Sequence, residues 1–310
     1  MESFEVLSRC ELKKMSDEDR IKYQKEANEY FGNLRNQLKD YEKKEILQPL
    51  LLAISRLFFV RIIKLNELKW PKDNGAVIFS VNHSNSKDFP VIKRLIKEHF
   101  FIMADYTMQN DFVVNLLNKL NSCIYVDRMS KKSGKNAINQ AIDGVNKGYN
   151  MAIFCESTWN LLRGEAMLPR KWGDIKVAQQ TGRPIIPIVL EYNGINCFVK
   201  FGNPLYVKKE DNIKEVDSFL FNEMSNLKKE IWESPEYKKK YKEIDYEKWL
   251  RKTIRGYKGF DVEYEVSQIR KNDDYFKEEF DYILKIGEEV RPVEKIEKKL
   301  KYAKVNYRLK

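Results

Sequence analysis

A chain of 310 residues with a net charge of +11, a pI near 9.2, 43% hydrophobic and 33% charged residues is globular and long enough to bury a substantial core. Its basic balance calls for anionic partners, which means nucleic acid, a phospholipid surface or phosphorylated substrates. Cys10, Cys123, Cys155 and Cys197 are scattered without Cys-x-x-Cys spacing, and there are only two histidines, which argues against a zinc module, a disulfide framework or an imidazole metal site.

Residues 1–46 are highly charged, with helical stretches such as Glu18 to Tyr41, and the opening Met-Glu-Ser-Phe-Glu lacks the basic and apolar regions of a signal peptide. The expectation is a cytoplasmic, reduced protein. Ile46 to Lys64 is the most hydrophobic stretch, but Arg56 and Arg61 interrupt it and Pro49 lies near its start. An arginine near the centre of a spanning helix costs at least roughly 2.5 kcal/mol, so 46–64 is expected as a basic amphipathic helix, lying in the lipid headgroup plane or packed on the core.

From Pro71 the texture becomes α/β. Ala76 to Val81 reads as a buried strand, ending at the polar turn Asn82-His-Ser-Asn-Ser-Lys-Asp88, after which helical periodicity resumes. Phe100 to Ala104, Cys123 to Val126, Asn150 to Phe154 and Pro184 to Leu190 read as further strands, and Cys197–Phe201 and Pro204–Val207 as shorter ones. Helices are expected over Asp111–Leu120, Asn136–Lys147 and Trp172–Thr181, with Lys131–Lys135 as a polar loop. This alternation predicts an α/β fold, a mostly parallel sheet flanked by helices, with helical N- and C-terminal extensions. The corresponding divisions are 1–70, 71–207 and a basic helical 208–310.

Ligand sites in such sheets gather at the carboxyl ends of the strands, and three such ends carry chemistry. His83 leaves one and Asp88 opens the next helix, so the carboxylate can orient one imidazole nitrogen and leave the other as a base. Arg128 follows another and suits a phosphate or carboxylate. Glu156, Ser157 and Thr158 follow a third, beside Cys155, and the proline-bounded Pro184, Ile185, Ile186 and Pro187 offer an apolar channel wall. A base, an anion clamp, a hydroxyl-binding loop and an apolar wall suit acyl transfer to a phosphorylated alcohol.

On these residues the sequence resembles the glycerophosphate and lysophosphatidic acid acyltransferases. His83-Ser-Asn-Ser-Lys-Asp88, with Asn82 before it, matches the family's His-x4-Asp motif. Ser122-Cys-Ile-Tyr-Val-Asp-Arg128 matches the second, with Ser122 where glycine is usual, and Phe154-Cys-Glu-Ser-Thr-Trp159 stands for Phe-Pro-Glu-Gly-Thr-Arg. Pro184 to Pro187 answers to the fourth. The resemblance covers roughly residues 75 to 207.

The resemblance implies direct transfer from acyl-CoA or acyl-carrier protein, with no other cofactor and no metal. His83 would be the base, Asp88 its orienter, backbone amides at the turn or a nearby helix start the oxyanion donors, and Asn82, Arg128, Glu156, Ser157 and Thr158 substrate ligands. The implied acceptor is a lysophospholipid such as 1-acylglycerol-3-phosphate, and the implied location the cytoplasmic membrane surface, held peripherally. Trp159 replaces the arginine that helps to hold acceptor phosphate in the family, with Arg163 and Arg170 as candidate substitutes. Cys155 and Ser157, in place of proline and glycine, imply a different backbone path for that loop. Acylation of another polyol or a glycolipid or cell-envelope acceptor, a Cys155 thioesterase or acyl relay, and a non-catalytic lipid binder stand as alternatives. For nucleic acid the lysines are dispersed among glutamates without a recognition motif.

Overall fold

The computed structural model describes residues 4–290 apart from 8, 13, 35–36, 74, 111, 129, 163, 257–261, 263–265 and 267–276. Short helix α1 (Arg9–Leu12) and helix α2 (Asp17–Asn33) precede a 3-10 stretch and α3 (Gln48–Arg56). The α/β portion then runs β1 (Arg61–Lys64), β2 (Ile78–Val81), α4 (Asp88–Leu95), β3 (Phe100–Asp105), α5 (Phe112–Leu120), β4 (Ser122–Val126) and α6 (Lys131–Asn146). It continues through β5 (Asn150–Phe154), α7 (Gly173–Thr181), β6 (Ile185–Asn193) and β7 (Asn196–Phe201). Helices α8 (Ile213–Glu233), α9 (Pro235–Lys240), α10 (Tyr246–Gly256) and α11 (Lys277–Val290) follow.

The sheet is seven-stranded, ordered β1-β7-β6-β2-β5-β3-β4, and parallel except where β6 meets β7. β2 lies inside it between β5 and β6, with Phe79 paired to Ala152 and Ile186. Its sequence Ile-Phe-Ser-Val is buried at every position, as expected of a central parallel strand covered on both faces. Phe79 and Val81 face one apolar layer with Val91, Ile92 and Ile96 of the α4 region. Ile78 faces the other, built with Ala137, Ala141 and Val145 of α6, Ile175 of α7 and Leu220 of α8. The result is a sheet between two helical layers, with the carboxyl ends of β2, β3, β4 and β5 on one side.

Several boundaries differ from expectation. The hydrophobic run 46–64 is not one helix: α3 ends at Arg56, and Arg61–Lys64 is an edge strand pairing in parallel with β7. Leu51 and Ser55 of α3 are buried, so one face of that helix packs on the core, while Ile46, Leu50, Leu57 and Phe59 are exposed. The sheet therefore starts before residue 71, and α8 packs on β6 and β7 beyond residue 207. Lys131–Lys135, expected as a loop, forms the first turns of α6, because Ser130 caps that helix by accepting from the Ser133 amide. Pro204–Val207 contributes only an isolated bridge through Leu205 to Ile185.

Candidate active site

At the end of β2 the chain turns sharply, and the turn is built around one carboxylate. Asp88, in the first turn of α4 and fully buried, accepts on Oδ2 from the Ser84 amide at 2.6 Å and the Asn85 amide at 3.0 Å. The same oxygen lies 2.8 Å from His83 Nδ1. In the neutral ring a carboxylate there favours the Nδ1–H tautomer, which turns the Nε2 lone pair outward, on an imidazole that lines the main cleft. Phe154, at the end of β5, stacks on the imidazole with centroids 4.3 Å apart and planes 16° apart, and Trp159 meets it edge-on at 6.1 Å and 90°.

The loop after β5 holds the same turn from behind. Glu156 is buried and spends both oxygens on backbone amides, Oε2 on His83 N at 2.5 Å and Oε1 on Leu168 N at 2.6 Å. Burial pushes its carboxyl up to about 7 despite those donors. The Asn160 amide donates to the His83 carbonyl at 2.8 Å. Asn82, also buried, exchanges two hydrogen bonds with the Leu190 backbone, with Oδ1 accepting at 2.7 Å and Nδ2 donating at 3.0 Å. Asn82 and Glu156, expected as substrate ligands, therefore lock His83's backbone between β6 and the β5 loop.

The cleft encloses about 1400 Å³. Phe89 and Pro90 of α4, Ile102 of β3 and Val114 and Leu117 of α5 supply apolar wall, while Arg128, Lys131, Lys135 and Lys176 bring positive charge. Arg128 is held in place, with Nε donating to Asp105 Oδ2 at 2.7 Å and Nη1 to the Ser157 carbonyl at 2.8 Å. Thr158 lines the cleft with its Oγ1 buried and unpartnered among the described residues. Lys131, Lys135, Lys176 and Asp105 were not read as site residues from sequence; the Ser130 cap was the available signal for the first two.

Other expectations are corrected. Pro184 to Pro187 do not line the cleft, because β6 is an interior strand whose Ile185 and Ile186 are spent in the two core layers. Arg170 is buried and donates through Nη2 to Asp174 at 2.5 Å and through Nη1 to Asp217 at 3.2 Å, so its charge is already matched by carboxylates. Arg163 lies outside the described residues. Cys155 does not line the cleft: it is fully buried against Met224, and burial pushes its thiol up to about 12, the opposite of the setting that activates a thiol. The amides of Ser84, Asn85, Lys87 and Asp88 are all consumed within the turn, so none of them serves an oxyanion. In the loop after β5, Ser157 sits at φ 56°, the left-handed region that glycine enters without strain.

Residues 61–191 match the acyltransferase family model. The 1-acyl-sn-glycerol-3-phosphate acyltransferase of Borreliella burgdorferi is 31% identical over 141 residues, covering 46% of this chain and 55% of that protein. The chain thus spans about half the length of the curated relative it matches. Among solved structures, that of the 1-acyl-sn-glycerophosphate (LPA) acyltransferase PlsC from Thermotoga maritima overlays with a TM-score of 0.49 at 15% identity, over 68% of this chain and 90% of that one. Residues 61–191, the stretch that is similar to the acyltransferase family, contain the His83–Asp88 pair and most of the residues that line its cleft.

Proposed function

We propose that this protein transfers a fatty acyl chain from a thioester, acyl-CoA or acyl-carrier protein, to the free hydroxyl of a lysophospholipid such as 1-acylglycerol-3-phosphate. The observation that carries the reading is the 2.8 Å contact between His83 Nδ1 and Asp88 Oδ2 at the wall of a cleft that is apolar along α4, β3 and α5 and cationic along α6 and α7. In the proposed reaction His83 Nε2 takes the acceptor hydroxyl proton as that oxygen bonds to the thioester carbonyl carbon. The carbon–sulfur bond then breaks, and the imidazolium returns the proton to the departing thiolate. Asp88 holds the ring and balances its transient charge. The acyl chain takes the apolar wall, and the acceptor's phosphate is drawn to Lys131, Lys135 and Lys176 beside the anchored Arg128. The name of the Borreliella relative supports this choice of acceptor.

The reaction takes place at a lipid surface. No helix among the described residues is long and apolar enough to cross a membrane. Instead Ile46, Leu50, Leu57 and Phe59 are exposed around α3, whose neighbour α5 adds exposed Val113 and Leu116 on one side and cleft-lining Val114 and Leu117 on the other. Exposed Arg56 and Arg61 stand next to Leu57 and Phe59 along the chain and suit anionic headgroups. The test is thiol release from acyl-CoA or acyl-carrier protein with 1-acylglycerol-3-phosphate. His83→Ala and Asp88→Asn should each lower kcat by about 10²–10⁴ while circular dichroism is unchanged. Wild-type turnover in either folded variant would refute the mechanism.

A further inference from the structure

The loop that backs His83 is also the docking surface of the C-terminal helices. Trp159, Leu161, Leu162 and Leu168 share one apolar cluster with Leu250 and Ile254 of α10 and Phe280, Ile283 and Ile286 of α11. Trp159 is 6% exposed, and the Tyr246 hydroxyl at the start of α10 donates to the Leu161 carbonyl at 2.7 Å. One residue away, the Asn160 amide holds the His83 carbonyl, and the Trp159 ring stands edge-on to the imidazole. The imidazole thus has Phe154 from the sheet on its face and, at its side, a ring whose seat is supplied by residues far along the chain.

We infer that α10 and α11 are part of the catalytic apparatus, and that Trp159 is a positioning residue through which they fix the His83 imidazole. The inference rests on the reading of His83 as the base, and it gives a physical reason for the indole at this point. An exposed guanidinium would bring charge into a cluster made of leucine, isoleucine and phenylalanine, whereas an indole buries its area there and keeps one edge for the histidine. The acceptor's anionic group is correspondingly left to the lysines of α6 and α7. Positioning of this kind matters because general-base transfer depends on sub-ångström placement of the nitrogen against the attacking hydroxyl.

The experiment uses the full chain in four forms: wild type, Trp159→Ala, Ile254→Ala and His83→Ala. Thiol release is measured alongside the imidazole resonances of ¹⁵N-histidine-labelled protein. With only His83 and His99 in the chain, His83→Ala assigns both signals. The expected result is a fall in kcat of about tenfold for Trp159→Ala and a smaller one for Ile254→Ala, with KM for donor and acceptor within about twofold of wild type. The His83 resonance and titration midpoint move in both variants, while those of His99 stay in place. An unmoved His83 resonance in folded Trp159→Ala, or a loss confined to KM, would overturn the inference. The resonance arm needs no turnover, so failure of the acyl-transfer reading shows as inactive wild type with His83 still displaced in the variants.

Discussion

Ser157 holds a backbone conformation that ordinarily favours glycine. At φ 56° it occupies the left-handed region, where a Cβ costs roughly 1–2 kcal/mol, and its carbonyl joins Asp105 in holding Arg128. Ser157→Gly should stabilise the protein by about 0.5–1 kcal/mol, the strain relief less the added chain entropy, without altering the cleft. Urea unfolding of the variant beside wild type measures this, and a destabilised Ser157→Gly would show that the serine side chain contributes more than its backbone costs. His83 and Asp88 were readable because their partnership is local, across one turn. The roles of Asn82 and Glu156 were not, because each bonds to backbone groups distant in sequence, Leu190 in one case and His83 and Leu168 in the other. A motif names the side chain but not the amide that claims it.

Among the elements, buried parallel strands were the most legible, since β2, β4 and β5 are short apolar runs that no solvent-facing helix would carry. β1 was hidden because Arg61-Ile-Ile-Lys64 is an edge strand with exposed charged ends, continuous in hydropathy with α3 before it. The start of α6 was hidden by Gly134 and three lysines, which look like a loop unless Ser130 is read as a cap. That cap places Lys131 and Lys135 on the first turns at the cleft. Ser130→Ala should cost about 1 kcal/mol in urea unfolding and raise KM for an anionic acceptor more than for the thioester donor. Equal effects on both constants would detach α6 from acceptor binding. The proline-bounded stretch failed as a channel for the opposite reason: its apolar residues belong to a central strand, and both faces of a central strand are already taken.

At the scale of the whole molecule, charge and apolar surface divide the work. The net charge of +11 gave an affinity for anions but no address, because lysines and glutamates are mixed through the sequence. The fold exposes Leu57 and Phe59 next to exposed Arg56 and Arg61, and this is the surface proposed to meet lipid. Leu57→Asp with Phe59→Asp should weaken sedimentation with anionic phospholipid vesicles by about tenfold or more, while turnover of acceptor supplied below its micellar concentration stays near wild type. Unchanged sedimentation would move the lipid-binding face elsewhere. The C-terminal helices, whose role was not legible in the sequence, pack on the loop after β5 because their apolar residues find partners only in three dimensions, in Leu161, Leu162 and Leu168.

The short connection between α3 and β1 carries one more consequence. Only Leu57 to Val60 separate the last turn of α3 from a strand hydrogen-bonded along β7, and Val60 is itself buried in the core. On the proposed reading, in which α3 meets lipid, that element is moored to the sheet rather than leashed to it. Its angle of approach is inherited by β2 and by the histidine at its end. On that reading no swinging arm is needed to find the acceptor, since landing on the bilayer would already aim the cleft.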